Sequence, residues 1–460
     1  MQTIYEVFVT FYFTEIYEIN LCVIIILTVE NIKMIKSIIL AAGKGTRMKS
    51  DKPKVLHEIF GKTLVGYVID AVNNTGLADE NFVIVGHQAE KVEEYIKDNY
   101  KNTRTILQSP QLGTGHAVSM ALPYLENLDG EVIILCGDTP LITSETIKEF
   151  VEYHHSHKSD LTVMSAIFDN PTNYGRIIRG ANGVEAIVEE KDATPEQKAI
   201  KEVNAGIYCL NWQKIKPAFS QLKSNNAQGE YYLTDIIKWG VNKVKIEAYT
   251  LKNNEEIFGI NSKAHLAEAT KMLNRRIVNK HLDIGVQIVD PDTTWISPDT
   301  TIEADTIIYP DTYIEGVNKI GKNCKIGPFA HLRGDVVLED NVKIGNFVEV
   351  KKTTIKSGTN ACHLTYLGDS EIGSGVNVGA GTITANYNPL NKVKSKTIIE
   401  DNVKIGSNSV LVAPVKIEEG ANVGALSVIT KNVPAWSLAI TRAPLKVVEN
   451  WVKRALEKLH

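Results

Sequence analysis

Ile320-Gly-Lys-Asn-Cys-Lys-Ile326-Gly-Pro-Phe-Ala-His-Leu332-Arg-Gly-Asp-Val-Val-Leu338 carries an aliphatic residue at every sixth position. Ile296, Ile302, Ile308 and Ile314 precede this stretch in the same rhythm, and Ile344 and Val350 continue it. A second series runs Ile399, Ile405, Leu411, Ile417, Val423, Ile429. An α-helix repeats its buried face about every 3.6 residues and a strand about every 2, so a period of six fits neither. It fits a parallel β-helix, whose short flat sides each turn one aliphatic side chain inward. Glycine follows the aliphatic residue at Gly321, Gly327, Gly345, Gly373, Gly379, Gly406 and Gly424, and reads as the residue that turns each corner. Residues 385 to 396 break the rhythm with Asn386-Tyr387-Asn388-Pro389 and three lysines, which predicts a loop leaving the solenoid on its working face.

Upstream, from residue 35 to about 262, the pattern is different. Phe82 to Val85, Val132 to Leu135 and Leu161 to Ala166 are short apolar runs separated by amphipathic segments. This alternation predicts a doubly wound α/β sheet with its ligands at the carboxyl ends of the strands. The first run, Ser37-Ile-Ile-Leu40, opens into Ala-Ala-Gly43-Lys-Gly45-Thr-Arg47-Met48, with Pro53-Lys54 shortly after. Glycine lets the backbone approach a phosphate, while Arg47 and Lys54 put fixed positive charge at the same mouth, as a nucleoside triphosphate requires. A second strand end, Leu135-Cys-Gly-Asp138-Thr-Pro140, places one carboxylate just beyond a buried strand. Leu266, Thr270, Leu273 and Ile277 then recur at helical spacing before Gly285 and predict a connector helix. Leu445, Val448, Val452, Ala455 and Leu459 predict an amphipathic helix at the end of the chain.

The 460 residues suit two or three domains, and a formal net charge of −4 argues against a general nucleic-acid binder. Five scattered cysteines suit a reducing cytoplasm and offer no zinc spacing. His154, His155 and His157 read as a solvated helix end rather than a metal site. Residues 1 to 33 look foreign to the rest. Their apolar run, Leu21 to Val29, is too short for a bilayer, which needs about 20 residues, so stable membrane insertion is not expected. An extension from an upstream start codon is the reading preferred over an anchor.

The strand-loop Ser37 to Met48 resembles the signature of sugar-nucleotide pyrophosphorylases. Further strings narrow the likeness: Gln111 to Ala117, Tyr174-Gly-Arg176, Glu189 to Asp192, Gln228 to Asp235 and His363 to Asp369. Together they resemble the bacterial family of bifunctional enzymes that are both glucosamine-1-phosphate N-acetyltransferases and N-acetylglucosamine-1-phosphate uridylyltransferases. The resemblance implies an α/β fold: a Rossmann-like nucleotidyltransferase domain at 34–262, a linker helix at 263–285 and a left-handed parallel β-helix of hexapeptide repeats at 286–443. A non-family extension at 1–33 and a terminal helix at 444–460 complete the division.

For the first domain the resemblance implies that Leu40, Ala41, Ala42, Gly43, Gln108, Gly113 and Thr114 hold the nucleotide of UTP. Arg47 and Lys54 would steady its phosphates. Gly175, Glu189 and Asn204 would hold N-acetylglucosamine 1-phosphate, and Asp138 with Asn261 would bind Mg²⁺. For the β-helix it implies acetyl transfer from acetyl-CoA to glucosamine 1-phosphate, with His363 as the base. Arg333, Lys351, Tyr366 and Asn377 would contact the sugar phosphate. Ala380, Asn386, Tyr387, Ser407, Ala425 and Arg442 would contact acetyl-CoA. Cys362 is not the expected nucleophile, because neighbours on a strand point to opposite faces. The family is cytoplasmic and trimeric, and builds its acetyl sites between neighbouring β-helices.

Between Gly316 and Gly327 the chain departs from the family pattern, with roughly two coils of about 18 residues absent. Their removal as whole turns would keep the six-residue register. The runner-up function is a single-activity sugar-1-phosphate nucleotidylyltransferase with a structural β-helix, which would lack the His363-to-Asp369 string. A non-enzymatic scaffold like the exchange-factor subunits of translation initiation need not keep Arg47, Lys54 and Asp138. This chain has all of these.

Overall fold

The computed structural model describes residues 34–180 and 183–458, so the expectations for Leu21 to Val29 and for Leu459 lie outside the described residues. Among the described residues no helix is long and apolar enough to cross a membrane. The chain divides into two compact units, one running to Ala269 and the other from Thr270.

The nine-stranded sheet of the first unit holds β1 (Met34–Leu40), β2 (Ala78–Val85), β3 (Thr103–Leu107), β4 (Gly130–Cys136) and β5 (Leu161–Ile167). They continue with β6 (Arg176–Gly180), β7 (Gly183–Val188), β8 (Glu202–Asn211) and β9 (Ile246–Thr250). The main sheet has the order β9-β5-β8-β4-β1-β2-β3, with β6 and β7 as an antiparallel flap off β8. β1 pairs in parallel with both β2 and β4, whereas β8 runs antiparallel to β4 and β5. Alternation along β1 explains why both faces must be covered. Ile35 and Ile39 belong to one buried cluster with α1 (Leu64–Asn73), α2 (Ala89–Asn99) and α4 (Ser144–Ser156); Ile38 belongs to the other, with Phe82, Trp212 and α3 (Thr114–Ser119). The inward hydroxyl of Ser37 donates to Asn81 Oδ1 at 2.7 Å, which satisfies a fully buried polar group. Because the chain moves outward from β1 to β3 and returns on its other side as β4, the strand order reverses between β1 and β4. That reversal opens a crevice beyond the carboxyl ends of the two strands.

The connector helix, α5, spans Lys263–Asp283, with Leu273 and Ile277 on its buried side and Gly285 in the left-handed region at φ 92°. Beyond it the hexapeptide series forms a left-handed parallel β-helix. Ile308 stacks on Ile326, Ile344, Ala361 and Val378 in one face, and Ile296, Ile314, Leu332, Val350 and Leu367 stack in another. Coils of 18 residues shorten to 17 after Val350 and Ile344, so the inward residues there are Ile355, Ala361, Leu367 and Ile372. This is why the six-residue series vanishes from the sequence although the solenoid continues.

The corners correct one expectation. Left-handed backbone falls at Asp305, Asp311, Asn323, Phe329, Asp335, Asn341 and Phe347, not at most of the glycines that follow the aliphatic residues. Those glycines serve close approach instead: a Cβ on Gly345 would stand 2.1 Å from the Cys362 carbonyl oxygen of the next coil. The C-terminal helix also differs from expectation. It covers Trp451–Glu457 only, because Asn450 is left-handed (φ 53°) and stops helix propagation upstream, and Leu445, Val448 and Val452 stay exposed.

Candidate active sites

Leu40 at the end of β1 pairs with Cys136 at the end of β4, and the Gly137 N–H donates to the Leu40 carbonyl at 2.9 Å. The loops that follow both strands therefore share one cleft of about 500 Å³, within the range of small-ligand sites. Leu40, Ala41, Ala42, Gly43, Arg47, Lys54, Gln108, Gly113, Thr114, Asp138 and Asn261 all line it. Gly45 takes φ 60°, and a Cβ there would press within 2.7 Å of the Lys54 Cβ, so glycine is what lets the loop fold over that lysine. Gln108 is buried and donates to the Gly113 carbonyl at 2.9 Å, with His116 Nδ1 at 3.1 Å, which fixes the orientation of its amide.

The Lys54 ammonium donates to Asp138 Oδ2 at 2.5 Å and to Asn261 Oδ1 at 3.2 Å. A carboxylate and an amide oxygen thus converge on a point that accepts a cation, the donor set a hard divalent ion favours. Cys136, Gln111 and Glu230 also line the cleft and were not among the sequence candidates, although all three stood within strings already singled out. Burial pushes the Cys136 thiol up to about 12, so it serves as packing and not as a nucleophile.

Gly175, Glu189 and Asn204 form a second group. The Asn204 N–H donates to the Gly175 carbonyl at 2.9 Å, and a Cβ on Gly175 would touch Glu189 Oε2 at 3.4 Å. Burial raises the Glu189 carboxyl above the usual range, with Thr234 Oγ1 as a distant donor at 3.5 Å. Asn204 Oδ1 accepts from the Gly206 N–H and the Tyr208 hydroxyl, which leaves its amide NH₂ to point elsewhere.

On the β-helix, Arg333 Nη1 donates to Glu349 Oε1 at 2.7 Å, and Glu349 is paired in register with Tyr366. Lys351 lies two positions beyond Glu349 on the same strand, and therefore on the same face. The nearby Lys394 ammonium, more than desolvation or Arg333, pulls the Lys351 amine below the ordinary lysine range. Lys394 was missed in the sequence because it belongs to the irregular loop, where Tyr387 and Asn388 pair antiparallel with Lys394 and Val393. Asn386 bridges the loop to the body by donating to Asp369 Oδ2 and, at 3.4 Å, to the Tyr366 hydroxyl. His363 is exposed and lies one corner before Tyr366, with the left-handed Leu364 between them. Asn377 is not brought to this cluster; it sits on another face, between Asn360 and Lys404. Ala380, Ser407 and Ala425 lie on three successive coils, and Arg442 Nη1 donates to the Ala425 carbonyl at 3.3 Å.

A glycine-loop cleft at a sheet reversal, joined to a hexapeptide solenoid, defines a nucleotidyltransferase of the β-helix-bearing class. Residues 36–286 match the nucleotidyl transferase family, and 319–352 and 396–431 match the bacterial transferase hexapeptide family. The bifunctional protein GlmU of Acetivibrio thermocellus is 44% identical over 451 residues, covering 90% of this chain and 96% of that protein. GlmU of Caldanaerobacter subterraneus is 46% identical over 456 residues, covering 92% and 98%. GlmU of Clostridium novyi is 43% identical over 458 residues, covering 92% and 99%. The chain belongs to the family of bifunctional GlmU proteins, and it is a transferase with both uridylyltransferase and acetyltransferase activity.

Proposed function

We propose that the β-helix acetylates glucosamine 1-phosphate with acetyl-CoA, and that the first unit joins the resulting N-acetylglucosamine 1-phosphate to UMP from UTP, releasing pyrophosphate. The observation that carries the second step is the placement of Lys54, Asp138 and Asn261 in one cleft with the glycine loop. Leu40 to Gly43, Gln108, Gly113 and Thr114 cradle the nucleotide. Gly175, Glu189 and Asn204 hold the sugar, and its phosphate oxygen attacks the α-phosphorus. Arg47 and Lys54 meet the charge that builds on the phosphates, which is where preorganised cations act most strongly. Asp138 and Asn261 would hold Mg²⁺, which when bound neutralises phosphate charge.

For acetyl transfer, Arg333, Lys351 and Lys394 gather positive charge where a phosphate would dock, and Tyr366 stands beside them. His363 takes the proton released as the sugar amine attacks the thioester carbon and CoA thiolate leaves. Asn386, Tyr387, Ala380, Ser407, Ala425 and Arg442 form the strip for acetyl-CoA. Asn377, turned away on another face, suits a contact to the site of an adjacent copy, in keeping with a homotrimer. The reactions are assigned to the cytoplasm, where both co-substrates are made. One coupled assay tests the reading: purified chain with glucosamine 1-phosphate, acetyl-CoA, UTP and Mg²⁺ should yield UDP-N-acetylglucosamine, CoA and pyrophosphate. Release of pyrophosphate from supplied N-acetylglucosamine 1-phosphate without any CoA release would leave only the single-activity alternative.

A further inference from the structure

Glu131 opens β4, His154 ends α4 and Cys209 lies in β8, and all three side chains are buried, with 1%, 1% and 0% exposure. The helix-end reading from sequence is corrected here: His154 faces the interior because α4 packs against the sheet, while His155 and His157 keep solvent contact. A ligand atom from each of Glu131, His154 and Cys209 lies within 4.8 Å of the other two. Glu131 Oε1 stands 3.8 Å from His154 Nε2. Tetrahedral zinc with bonds of about 2.0–2.3 Å sets its ligand atoms about 3.3–3.8 Å apart, so one edge already has that length and the others need shifts of at most about an ångström to reach it.

We propose that Glu131 Oε1, His154 Nε2 and Cys209 Sγ supply the three protein ligands of a zinc site separate from the nucleotide cleft, with water in the fourth position. Glu131 begins the strand that Asp138 follows, so roughly 20 Å of extended backbone divides the two sites. Three features converge. Thr162 Oγ1 lies 2.7 Å from His154 Nδ1, which orients the ring and leaves Nε2 facing the cluster, as an outer partner does for a metal-bound imidazole. His155 Nε2 lies 2.6 Å from the other carboxylate oxygen, Glu131 Oε2, and fixes that group in turn. A carboxylate and a thiolate together balance a divalent charge, so the complex is neutral in a region where an unbalanced ion would be costly. Thiolate with imidazole selects zinc over magnesium or calcium. The ion would tie β4, β8 and α4 together at the end of the sheet remote from chemistry.

The test uses the full chain without a histidine tag, stripped with a chelator and titrated with Zn²⁺ and then, separately, Co²⁺. Zinc should bind at about one per chain and raise the melting temperature. Cobalt should give a thiolate charge-transfer band that survives excess Mg²⁺. The band should vanish in Cys209→Ala and persist in Cys324→Ala and Cys362→Ala. His155→Ala, at a half-exposed position, should weaken zinc binding about ten- to a hundredfold. No band in the wild-type chain, a band that survives Cys209→Ala, or full zinc affinity in His155→Ala together with Cys209→Ala would each overturn the proposal.

Discussion

Lys54 and Asp138 form an ion pair at 2.5 Å across the mouth of the cleft, with both side chains less than one-fifth exposed. The ammonium therefore stands where the proposed metal site has its carboxylate. Lys54 must release Asp138 for a metal to enter, and it is then free to turn to a phosphate. The pair links the glycine loop to the second strand end before any substrate arrives.

Asp138→Asn keeps the shape and removes the charge. Uridylyl transfer should fall by about a hundredfold or more, the scale seen when one preorganised charge-stabilising group is lost. Acetyl transfer, measured as CoA release on the same sample, should stay near the parent rate. Equal loss of both activities would point to misfolding.

His363→Ala should lower acetyl transfer by about 10² to 10⁴, or roughly 3 to 5 kcal/mol of barrier, while pyrophosphate release is unchanged. The residual acetylation should climb with pH as more of the sugar amine loses its proton. Acetylation at the parent rate would assign the base elsewhere.

Lys394→Gln removes the neighbour that holds Lys351 below its ordinary range. The KM for glucosamine 1-phosphate should rise about tenfold, the scale of one charge-assisted contact, with a smaller change in kcat. In the parent chain, affinity for the sugar phosphate should begin to fall with rising pH before an ordinary lysine would titrate; in the variant that fall should move to higher pH. An unchanged pH profile would mean that Lys394 does not act on Lys351.

Glu189 sits buried with its carboxyl held above the usual range. A raised folded value costs nothing below the unfolded value of about 4.3 and the full amount above the folded one, so the carboxylate opposes folding at neutral pH. Glu189→Gln should therefore raise the melting temperature at pH 7 to 8, with the gain disappearing toward pH 4. The same variant should bind N-acetylglucosamine 1-phosphate more weakly. A lower melting temperature at neutral pH would contradict the sign.

The parts of this molecule written in local repeats were legible. Ile296 to Val350 announce the solenoid because each buried residue recurs at a fixed step, and Ser37 to Arg47 announce the cleft because strand, glycines and cation are contiguous. What escaped was non-local or arrhythmic. Ile355 and Ile372 stand five residues after their predecessors in the interior, Val350 and Leu367, so no single period finds them. Lys394 gains its meaning only when a hairpin folds back over Lys351. Glu131, His154 and Cys209 are far apart in the chain and meet only because β8 pairs with β4 beneath α4. The corners were misread for another reason: glycine suits both a left-handed turn and a close approach, and only the backbone angles tell the two apart.

Each coil of the solenoid touches only the coils above and below it, so its height is adjustable in whole steps. Ala380, Ser407 and Ala425 climb one coil at a time, which makes the strip proposed for acetyl-CoA a graduated scale with marks about 4.8 Å apart. A coil lost among these marks would shorten the scale and misplace one end of a long ligand. A coil lost before Ile326 would leave every mark where it was. Selection can therefore trim the stem of this domain freely while the graduated part is held to a fixed length by the molecule it measures.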